Sequence, residues 1–399
     1  MKMVHGERDA DGYSNSKHLA ERVLGVSALL KTPLHALHEE LGGKMVGFAG
    51  YEMPVQYNAG IMAEHNHTRA KAGLFDVSHM GQVRIDGAPY AELAAALEKL
   101  MPMDVAGLGE GRQRYGLFTN DQGGILDDLM FANRGDHLFL VVNAACKDAD
   151  IAHLKAHLEP ELNVTPLTDR ALLALQGPAS EKVLGALNPD VAEMRFMDVR
   201  TVELNGAECF VSRSGYTGED GYEISVPEAV AVDLARALLS DPDVMPIGLG
   251  ARDSLRLEAG LCLYGHDMDA ETTPIEAALP WAIQKARRSD GVRAGGFPGA
   301  DSILSQFVEG TARKRVGLLP EGRAPMREGV ELFASEDGTE AIGKITSGGF
   351  GPSFGAPVAM GYVPSNLSQP DTQLYAELRG KRLPVKVAAM PFVAANFKR

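Results

Sequence analysis

The sequence predicts an α+β protein that ends in a small, strand-rich unit. From Thr32 onward, short strand-like and helix-like segments alternate irregularly, which fits an α+β architecture better than a regular strand–helix–strand repeat. Apolar runs at 138–142, 171–175 and 223–226 are typical of buried strands. In the C-terminal quarter, strand-like segments alternate with glycine or proline, which predicts a small β-barrel or sandwich. These segments are 316–319, 331–334, 343–346, 358–363 and 383–388.

The composition is that of an ordinary globular protein large enough for two or three domains, with 399 residues of which 45% are hydrophobic and 23% charged. A formal net charge of −14 argues against general affinity for nucleic acids. No stretch approaches the roughly 20 apolar residues of a membrane span. The three cysteines lie far apart and form no C-x-x-C pair, so the sequence predicts neither a disulfide framework nor a zinc ribbon.

Residues 1–31 are predicted to form an N-terminal extension that is partly disordered and then helical. The first residues are polar, whereas apolar residues recur at helical spacing over 15–31. Residues 1–12 lack the apolar run of a secretory signal, and the acids Glu7, Asp9, Asp11 and Glu21 are unlike a mitochondrial presequence. The sequence therefore predicts a bacterial-type cytoplasmic location, with the mitochondrial matrix as the less favoured choice.

Two local patterns predict how the rest of the chain is organised. The run Thr273-Pro274-Ile275-Glu276 has the form of a capping box, so a helix is expected to begin there. Between residues 287 and 298 the composition shifts to Arg, Ser, Asp and Gly, which is typical of an interdomain connection.

Asp127 and Asp128 are adjacent in a segment that otherwise predicts two strands joined by a tight turn at 121–124. Because successive strand side chains point to opposite faces, Asp127 should share a face with Leu129, and Asp128 with Met130. Divergent carboxylates disfavour a dyad that shares one proton. Two interpretations stay open: one aspartate set among apolar neighbours with its twin solvated or capping backbone, or two edge-strand charges that deter aggregation.

Two further segments carry polar groups in suggestive patterns. The loop at 213–223 has glycine at every third position from Gly215, but its spacing fits neither a P-loop nor a dinucleotide fingerprint, and alone it favours a cluster of tight turns. A helical segment at 248–265 places Arg252 and Arg256 one turn apart, a pattern that helical salt bridges commonly explain.

A metal site can be considered at His65 and His67, with His79 further along the chain. No HExxH motif or Cys/His set completes such a site, so the sequence predicts no metal.

Six segments taken together are far more specific than any one of them. In chain order they are 50–57 (GYEMPVQY), 74–80 (LFDVSHM), 123–129 (GGILDDL), 171–178 (ALLALQGP), 213–223 (RSGYTGEDGYE) and 251–265 (ARDSLRLEAGLCLYG). With them, the chain resembles the aminomethyltransferase, or T-protein, family of the glycine cleavage system. The resemblance runs from about Thr32 to the C-terminal segment 390–393 (MPFV).

The resemblance implies a three-domain cloverleaf fold around a central folate-binding hole, with a C-terminal β-barrel. Residues 32–290 would then hold two interleaved α+β domains, and residues 311–393 the barrel. The implied reaction takes the aminomethyl group from the lipoyl arm of the H-protein, releases ammonia, and leaves 5,10-methylenetetrahydrofolate and dihydrolipoyl H-protein. The implied partners are the lipoylated H-protein and tetrahydrofolate.

The resemblance also implies roles for residues of the folate cavity. Asp128 would lie close to the reacting folate nitrogens, where a carboxylate can orient them, stabilise developing positive charge or relay a proton. Met80 and Asn143 match positions that line the same cavity. Glu223 matches the residue that recognises the pterin, where one carboxylate can accept two hydrogen bonds.

Four further residues complete the implied site. Arg252 matches a second folate-contacting position, and Tyr115 and Trp281 are expected as apolar walls. The chain departs from the family at Phe397, where a tyrosine commonly contacts folate, so one hydroxyl contact would be lost there.

Basic residues near the third domain are candidates for contact with an acidic H-protein surface, although solvated charge also explains them. They are Lys285, Arg287, Arg288, Arg293 and the run Arg313-Lys314-Arg315. Two other functions stay open: a folate-dependent demethylase of a small methylated sulfur or amine compound, and a non-catalytic folate-binding protein of the same fold. A fused flavin domain is excluded, because the chain lacks the length and the Gly-x-Gly-x-x-Gly motif for one.

Overall fold

The computed structural model describes residues 28–399, so the helix expected over 15–31 lies almost wholly outside the described residues. None of the described helices is long and apolar enough to cross a membrane. The α-helices are α1 (His35–Glu40), α2 (Ile61–Ala70), α3 (Tyr90–Leu97), α4 (Lys147–Leu158), α5 (Ser180–Leu187), α6 (Glu228–Leu239), α7 (Leu249–Glu258) and α8 (Ala300–Glu309). Short 3-10 turns occur at Pro189–Glu193, Pro280–Ala282, Lys285–Arg287 and Ser365–Leu367.

The first large sheet has six strands in the order β10-β11-β12-β9-β3-β13, all antiparallel to their neighbours except β13, which is parallel to β3. Its inner face packs on α6 and α5 through a core of leucine, valine and alanine side chains. The strands are β3 (Ala72–Asp76), β9 (Arg170–Gln176), β10 (Val199–Leu204), β11 (Ala207–Ser212), β12 (Gly221–Pro227) and β13 (Val244–Pro246). A separate hairpin, β1 (Lys44–Phe48) and β2 (Tyr51–Gln56), precedes this sheet.

The second sheet has five strands in the order β5-β6-β7-β4-β8 and is antiparallel throughout. Its strands are β4 (Gly81–Asp86), β5 (Arg112–Thr119), β6 (Ile125–Asn133), β7 (Leu138–Val142) and β8 (Asn163–Pro166). The tight turn expected at 121–124 joins β5 to β6, and Gly123 adopts a φ of +89°, a conformation that glycine reaches at little cost.

The structure of strand β6 shows on which face each of the two adjacent acids lies. Leu129 and Asp127 lie on the fully buried face, whereas Asp128 and Met130 lie on the other, half-buried face. The predicted divergence is therefore confirmed. The edge-strand interpretation is wrong, because β6 has β5 on one side and β7 on the other.

The C-terminal unit is a closed six-stranded barrel in the order β14-β17-β16-β15-β18-β19, which confirms the barrel and excludes the sandwich. Its strands are β14 (Arg313–Pro320), β15 (Glu331–Phe333), β16 (Gly343–Gly351), β17 (Ala356–Pro364), β18 (Gln373–Leu378) and β19 (Lys381–Ala388). An apolar core fills its interior. Together with the two sheets, this barrel confirms the predicted α+β fold class with three units. The domain boundaries at residues 290 and 311 stay a prediction.

The helix expected to begin at Thr273 is absent, although the capping box itself forms. The amide of Thr273 donates to Glu276 Oε2 at 3.0 Å, and the amide of Glu276 donates to Thr273 Oγ1 at 3.2 Å. After one turn, Ala278 takes a positive φ of +58° and the amide of Leu279 bonds back to the carbonyl of Pro274 at 2.8 Å. The turn therefore closes on itself before a helix can grow.

Several of the basic residues proposed for partner contact have internal roles instead. Arg287 is buried and donates to Glu98 Oε2 at 3.1 Å, and Arg293 bonds the same carboxylate. Arg315 is also buried and donates to backbone carbonyls, including Ala277 at 2.9 Å. The prediction that these side chains attract a partner is wrong for Arg287 and Arg315, because buried guanidinium groups are unavailable at the surface. Lys285 and Lys314 remain exposed.

The carboxylate of Glu258, at the end of α7, connects α2, α7 and the barrel. It is fully buried and accepts hydrogen bonds from His65 Nε2 at 3.1 Å and Arg69 Nη2 at 3.0 Å. Its other oxygen accepts from the amides of Ser353 at 2.8 Å and Phe354 at 3.1 Å, between β16 and β17. Burial alone would raise the pKa of Glu258, but these donors lower it to about 2.

Replacing Glu258 by alanine is expected to lower the free energy of unfolding at neutral pH by about 3–5 kcal/mol, because it leaves buried donors without their acceptor. Since the pKa of Glu258 is lowered in the folded state, its contribution is present above the ordinary glutamate pKa and is lost as the pH falls toward 2. Chemical denaturation at neutral and acidic pH measures both effects. The exposed Glu309→Ala variant is the control. Equal small losses in the two variants would contradict the expected role.

Candidate functional site

The candidate site lies between the two large sheets, beside the helix α7. Apolar residues of both sheets and of α7 form one cluster there, which includes Phe75, Val141, Leu172 and Leu255. Met80 and Met130 pack against the same cluster while staying partly exposed. Side chains that point into this space from either sheet can therefore meet across it.

Asp128 projects from β6 into this region with hydrogen-bond donors at both carboxylate oxygens. The hydroxyl of Tyr115, on β5, donates to Asp128 Oδ2 at 3.0 Å, and the side-chain amide of Asn143 donates to Asp128 Oδ1 at 2.6 Å. Burial raises the pKa of Asp128 to about 7, the negative charge of Asp127 adds to this rise, and the two donors oppose it. Asp128 is thus a carboxylate that gains or loses its proton near neutral pH.

Tyr115 is both a donor to Asp128 and half of an aromatic pair. Its ring stacks on Trp281, with ring centroids 5.4 Å apart and an interplanar angle of 28°. Trp281 lies in the 3-10 turn after the closed capping-box turn and is 60% exposed. The two predicted wall residues therefore come together next to Asp128, one inside and one at the surface.

Replacing Tyr115 by phenylalanine is expected to raise the titration midpoint of Asp128 by about 1 pH unit. The hydroxyl stabilises the charged carboxylate, so its loss favours the protonated acid by about 1.5 kcal/mol. Carbon-13 NMR of aspartate-labelled protein measures this midpoint directly. Tyr90→Phe is a matched control, because the Tyr90 hydroxyl donates to the carbonyl of Val105 instead. An unchanged midpoint in Tyr115→Phe would contradict the assigned contact.

Asn143 joins the two adjacent aspartates from the end of β7. Its side-chain amide lies 2.9 Å from Asp127 Oδ1 and 2.6 Å from Asp128 Oδ1, and its backbone amide donates to Asp127 Oδ2 at 3.2 Å. Asp127 is thus fully buried and bound to backbone, so the solvated alternative for it is wrong and the backbone-capping alternative is confirmed. The single side chain of Asn143 therefore contacts two carboxylates that project from opposite faces of β6.

Glu223 enters the site from β12 of the other sheet. Its Oε2 accepts a hydrogen bond from the hydroxyl of Ser214 at 3.0 Å, and Ser214 in turn lies 2.9 Å from the hydroxyl of Ser212. Burial raises the pKa of Glu223, whereas the charge of Arg252 and the bond from Ser214 oppose the rise. Among the described contacts, its second oxygen has no protein donor.

Arg252 extends from α7 toward Glu223 and lies over an aromatic ring. Its guanidinium carbon is 4.8 Å from the centroid of Tyr216, which is a cation–π distance. In the part of the chain that the structure describes, this guanidinium forms no side-chain hydrogen bond or ion pair. The salt-bridge interpretation of the α7 charges is therefore wrong for Arg252, although Arg256 does pair with Asp253 and Asp267.

Tyr216 connects the two halves of the site. Its hydroxyl donates to the carbonyl of Cys262. Burial raises the pKa of Tyr216, the nearby charge of Asp128 adds to the rise, and Arg252 opposes it. The tyrosine thus lies near the charges of Asp128, from β6, and Arg252, from α7.

Met80 lies in the turn immediately before β4, where its amide donates to the carbonyl of Val77 at 3.1 Å. The preceding His79 is buried, and its Nδ1 has no described partner. Burial lowers the pKa of His79 to about 4; Asp76 opposes the drop, while Arg252 and Lys147 add to it. Met80 itself packs against the apolar cluster between the two sheets, which places this turn at the site.

Phe397 is the one predicted site residue that these contacts do not bring together with Asp128. It stacks on Phe196 with ring centroids 4.0 Å apart and an interplanar angle of 10°. The groove beside it is lined by Arg213, Asp220 and α5. The folate contact expected at Phe397 therefore stays a prediction.

Of the histidines considered for metal binding, His65 and His67 lie on α2 and contact different partners. His65 Nδ1 lies 2.7 Å from Ser254 Oγ, whereas His67 Nε2 lies 2.9 Å from the carbonyl of Asp243. His79 packs against Phe48, with ring centroids 5.6 Å apart. Across residues 28–399, no group of three or more His, Cys, Asp or Glu side chains is arranged to hold a metal ion.

Sequence reasoning missed two residues of this region, Tyr216 and Asp150, and it considered His79 only for a metal site. Tyr216 lies inside the glycine-rich loop at 213–223, so the loop itself was a sequence signal that could have identified this residue. Asp150 lies in the first turn of α4, where an acid is ordinary because it favours the helix dipole. Only its burial against Asp127 distinguishes it.

Known proteins match this chain over nearly its whole length. The family profile described as the GCVT N-terminal domain matches residues 34–287, and the glycine cleavage T-protein C-terminal barrel domain matches residues 313–394. The mitochondrial aminomethyltransferase of Dictyostelium discoideum is 46% identical over 388 residues, which cover 93% of this chain and 94% of that protein. The mitochondrial aminomethyltransferase of Mus musculus is 46% identical over 377 residues, covering 92% and 91%.

A solved structure shows the same fold. The glycine cleavage system aminomethyltransferase T from Bartonella henselae superposes with a TM-score of 0.87 and 44% sequence identity, covering 93% of this chain and all of that one. Profiles, relatives and fold agree over nearly the whole length, and the chain belongs to the glycine cleavage T-protein family.

Proposed function

We propose that this protein is the aminomethyltransferase of a glycine cleavage system. It takes the aminomethyl group from the dihydrolipoyl arm of the H-protein, releases ammonia, and forms 5,10-methylenetetrahydrofolate. The observation that carries the proposal is that Arg252 lies beside both Glu223 and Tyr216, and that Asp128 also lies near Tyr216. The full-length relatives that are named aminomethyltransferases support it.

The residues of the cavity fit a folate. Glu223 keeps one oxygen without a described protein donor, and the guanidinium of Arg252 keeps its donors free in the described region. A carboxylate beside an arginine fork suits a flat heterocycle that carries both N–H donors and ring acceptors, as a pterin does. Tyr216, Tyr115 and Trp281 supply aromatic surface next to these groups.

The reaction requires two bonds to the transferred carbon to break. The carbon–sulfur and carbon–nitrogen bonds of the S–CH2–NH2 group are replaced by bonds to N5 and N10 of tetrahydrofolate. The two protons released from those nitrogens end on the thiol and on ammonia. Positive charge therefore develops near the transferred carbon. Protons must also move from the folate nitrogens to the departing thiol and ammonia.

Asp128 suits both tasks. Two fixed donors, Tyr115 and Asn143, hold its carboxylate in one orientation, so it can stabilise positive charge without rearranging. Its pKa of about 7 also allows it to accept and return a proton at neutral pH. Met80 packs against the apolar cluster beside this site and contributes apolar surface that limits water.

The alternatives have less support. A folate-dependent demethylase would share the cavity and meet no lipoyl arm, but the relatives that match this chain along their full lengths are aminomethyltransferases. A non-catalytic folate-binding protein would not need a carboxylate that titrates near neutral pH. The cytoplasmic location stays a prediction, and the names of the curated relatives point to mitochondria instead.

The test uses purified chain with aminomethylated H-protein, in the presence and absence of tetrahydrofolate. We expect rapid release of ammonia that depends on tetrahydrofolate, together with formation of 5,10-methylenetetrahydrofolate. Absence of both products, with turnover of a methylated sulfonium or amine compound instead, would favour the demethylase. Binding of folate without turnover of any of these substrates would favour the non-catalytic protein.

A further inference from the structure

A second pair of acids is buried directly behind Asp128. Asp127 is 0% exposed and Asp150, from the first turn of α4, is 1% exposed. The two carboxyl groups lie within hydrogen-bonding reach of each other. Asp150 Oδ2 has no described donor partner, although it is sealed from solvent. Two negative charges in such a place would carry a large desolvation cost.

No cation compensates this pair in the described region. The ion pairs of residues 28–399 include neither Asp127 nor Asp150. Besides Asp150, the donors that reach Asp127 are uncharged: the two amides of Asn143 and the thiol of Cys146. The other titratable groups that face the pair are Asp128, Cys146 and Tyr264, with Asp269 further away. Burial raises the pKa of the Cys146 thiol and of Tyr264, so neither is charged at neutral pH.

We propose that Asp150 is a positioning residue that keeps a proton at neutral pH and donates it to the carboxylate of Asp127. Asp127 then remains an acceptor for both amides of Asn143, and the side-chain amide of Asn143 stays directed at Asp128. The contacts form a chain in which Asp150 contacts Asp127, Asp127 contacts Asn143, and Asn143 contacts Asp128. The pair thus carries one negative charge rather than two.

Two consequences follow for Asp128. The buried proton fixes the geometry of Asn143, on which one of the two donors to Asp128 depends. The single charge of Asp127 raises the pKa of Asp128 beyond the rise that burial causes. Asp150 would therefore act on the reaction through its neighbours and without touching a substrate. The catalytic consequence rests on the function proposed above, whereas the buried proton does not.

Infrared spectroscopy of the full chain without ligands tests the proton itself. At a pH well above 7, where Asp128 is ionised, we expect the carbonyl stretch of a protonated carboxylic acid that shifts in D2O. The band should disappear in Asp150→Asn, whose amide can replace the donor. It should persist in Asp148→Asn, which removes an exposed acid from the same helical turn. Absence of the band in the native protein would overturn the proposal, as would its persistence in Asp150→Asn.

The pH profile of turnover tests the positioning role. Asp150→Ala removes the donor, so buried Asp127 takes up the proton and loses its charge and one acceptor oxygen. We expect kcat to fall about tenfold with little change in KM for tetrahydrofolate, and the acidic limb of the profile to move to lower pH. Asp150→Asn should restore the native profile. An unmoved acidic limb in a folded Asp150→Ala protein would contradict the positioning role even if the infrared band is present.

Discussion

Replacing Asp128 by asparagine is expected to lower kcat by about 10²–10³-fold while tetrahydrofolate still binds. Asparagine keeps the shape of the side chain and can still contact Tyr115 and Asn143, but it carries no negative charge and accepts no proton. The transferred carbon would then lose the group that stabilises its positive charge. The substitution should therefore lower kcat and leave the affinity for tetrahydrofolate nearly unchanged.

Single-turnover kinetics with aminomethylated H-protein, and equilibrium binding of tetrahydrofolate, measure the two effects separately. Asp121→Asn is the control, because Asp121 lies in the exposed turn of the same hairpin. A variant Asp128→Asn that turns over at the native rate would remove Asp128 from the mechanism. A rise in the folate Kd as large as the fall in kcat would show that Asp128 acts mainly in binding.

Replacing Glu223 by glutamine is expected to raise the Kd for tetrahydrofolate by about 10–100-fold. The carboxylate can accept two hydrogen bonds from adjacent pterin donors, and charged hydrogen bonds of this kind contribute about 1.5–3 kcal/mol. An amide offers only one acceptor oxygen and presents a donor where another acceptor is needed. At saturating tetrahydrofolate, kcat should stay within a few-fold of the native value, since the proposed function assigns Glu223 to the pterin and not to the reacting carbon.

Isothermal titration and saturation kinetics measure this second prediction. Glu203→Gln, on the exposed face of the same sheet, should leave both quantities unchanged. If Glu223→Gln and Asp128→Asn had the same effects on Kd and kcat, the division of the site into a binding end and a reacting end would be wrong.

Local patterns were enough to predict much of the fold. The alternation of side chains along β6 separated Asp127 from Asp128 correctly, because strand geometry acts residue by residue. The capping box at Thr273 and Glu276 also formed as predicted. The helix after it did not form, because Ala278 takes a left-handed conformation and the chain turns back, a tertiary effect that the local pattern does not contain.

The parts of the site that sequence reasoning missed depend on contacts between distant segments. Asp150 is an ordinary helix acid until α4 packs on β6 and buries it against Asp127. Arg287 and Arg315 resembled surface charge until the fold placed Glu98 and backbone carbonyls around them. In each case, the partner lies tens or hundreds of residues away in sequence, so no short window reveals it.

The destination of the aminomethyl carbon tests the central claim most directly. H-protein carrying a carbon-13 label in its aminomethyl group is mixed with this protein and tetrahydrofolate, and the products are followed by NMR. We predict that the label appears in 5,10-methylenetetrahydrofolate while ammonia forms in an equal amount. A label that stays on the H-protein, or that leaves as free formaldehyde at the same rate with and without tetrahydrofolate, would contradict the account.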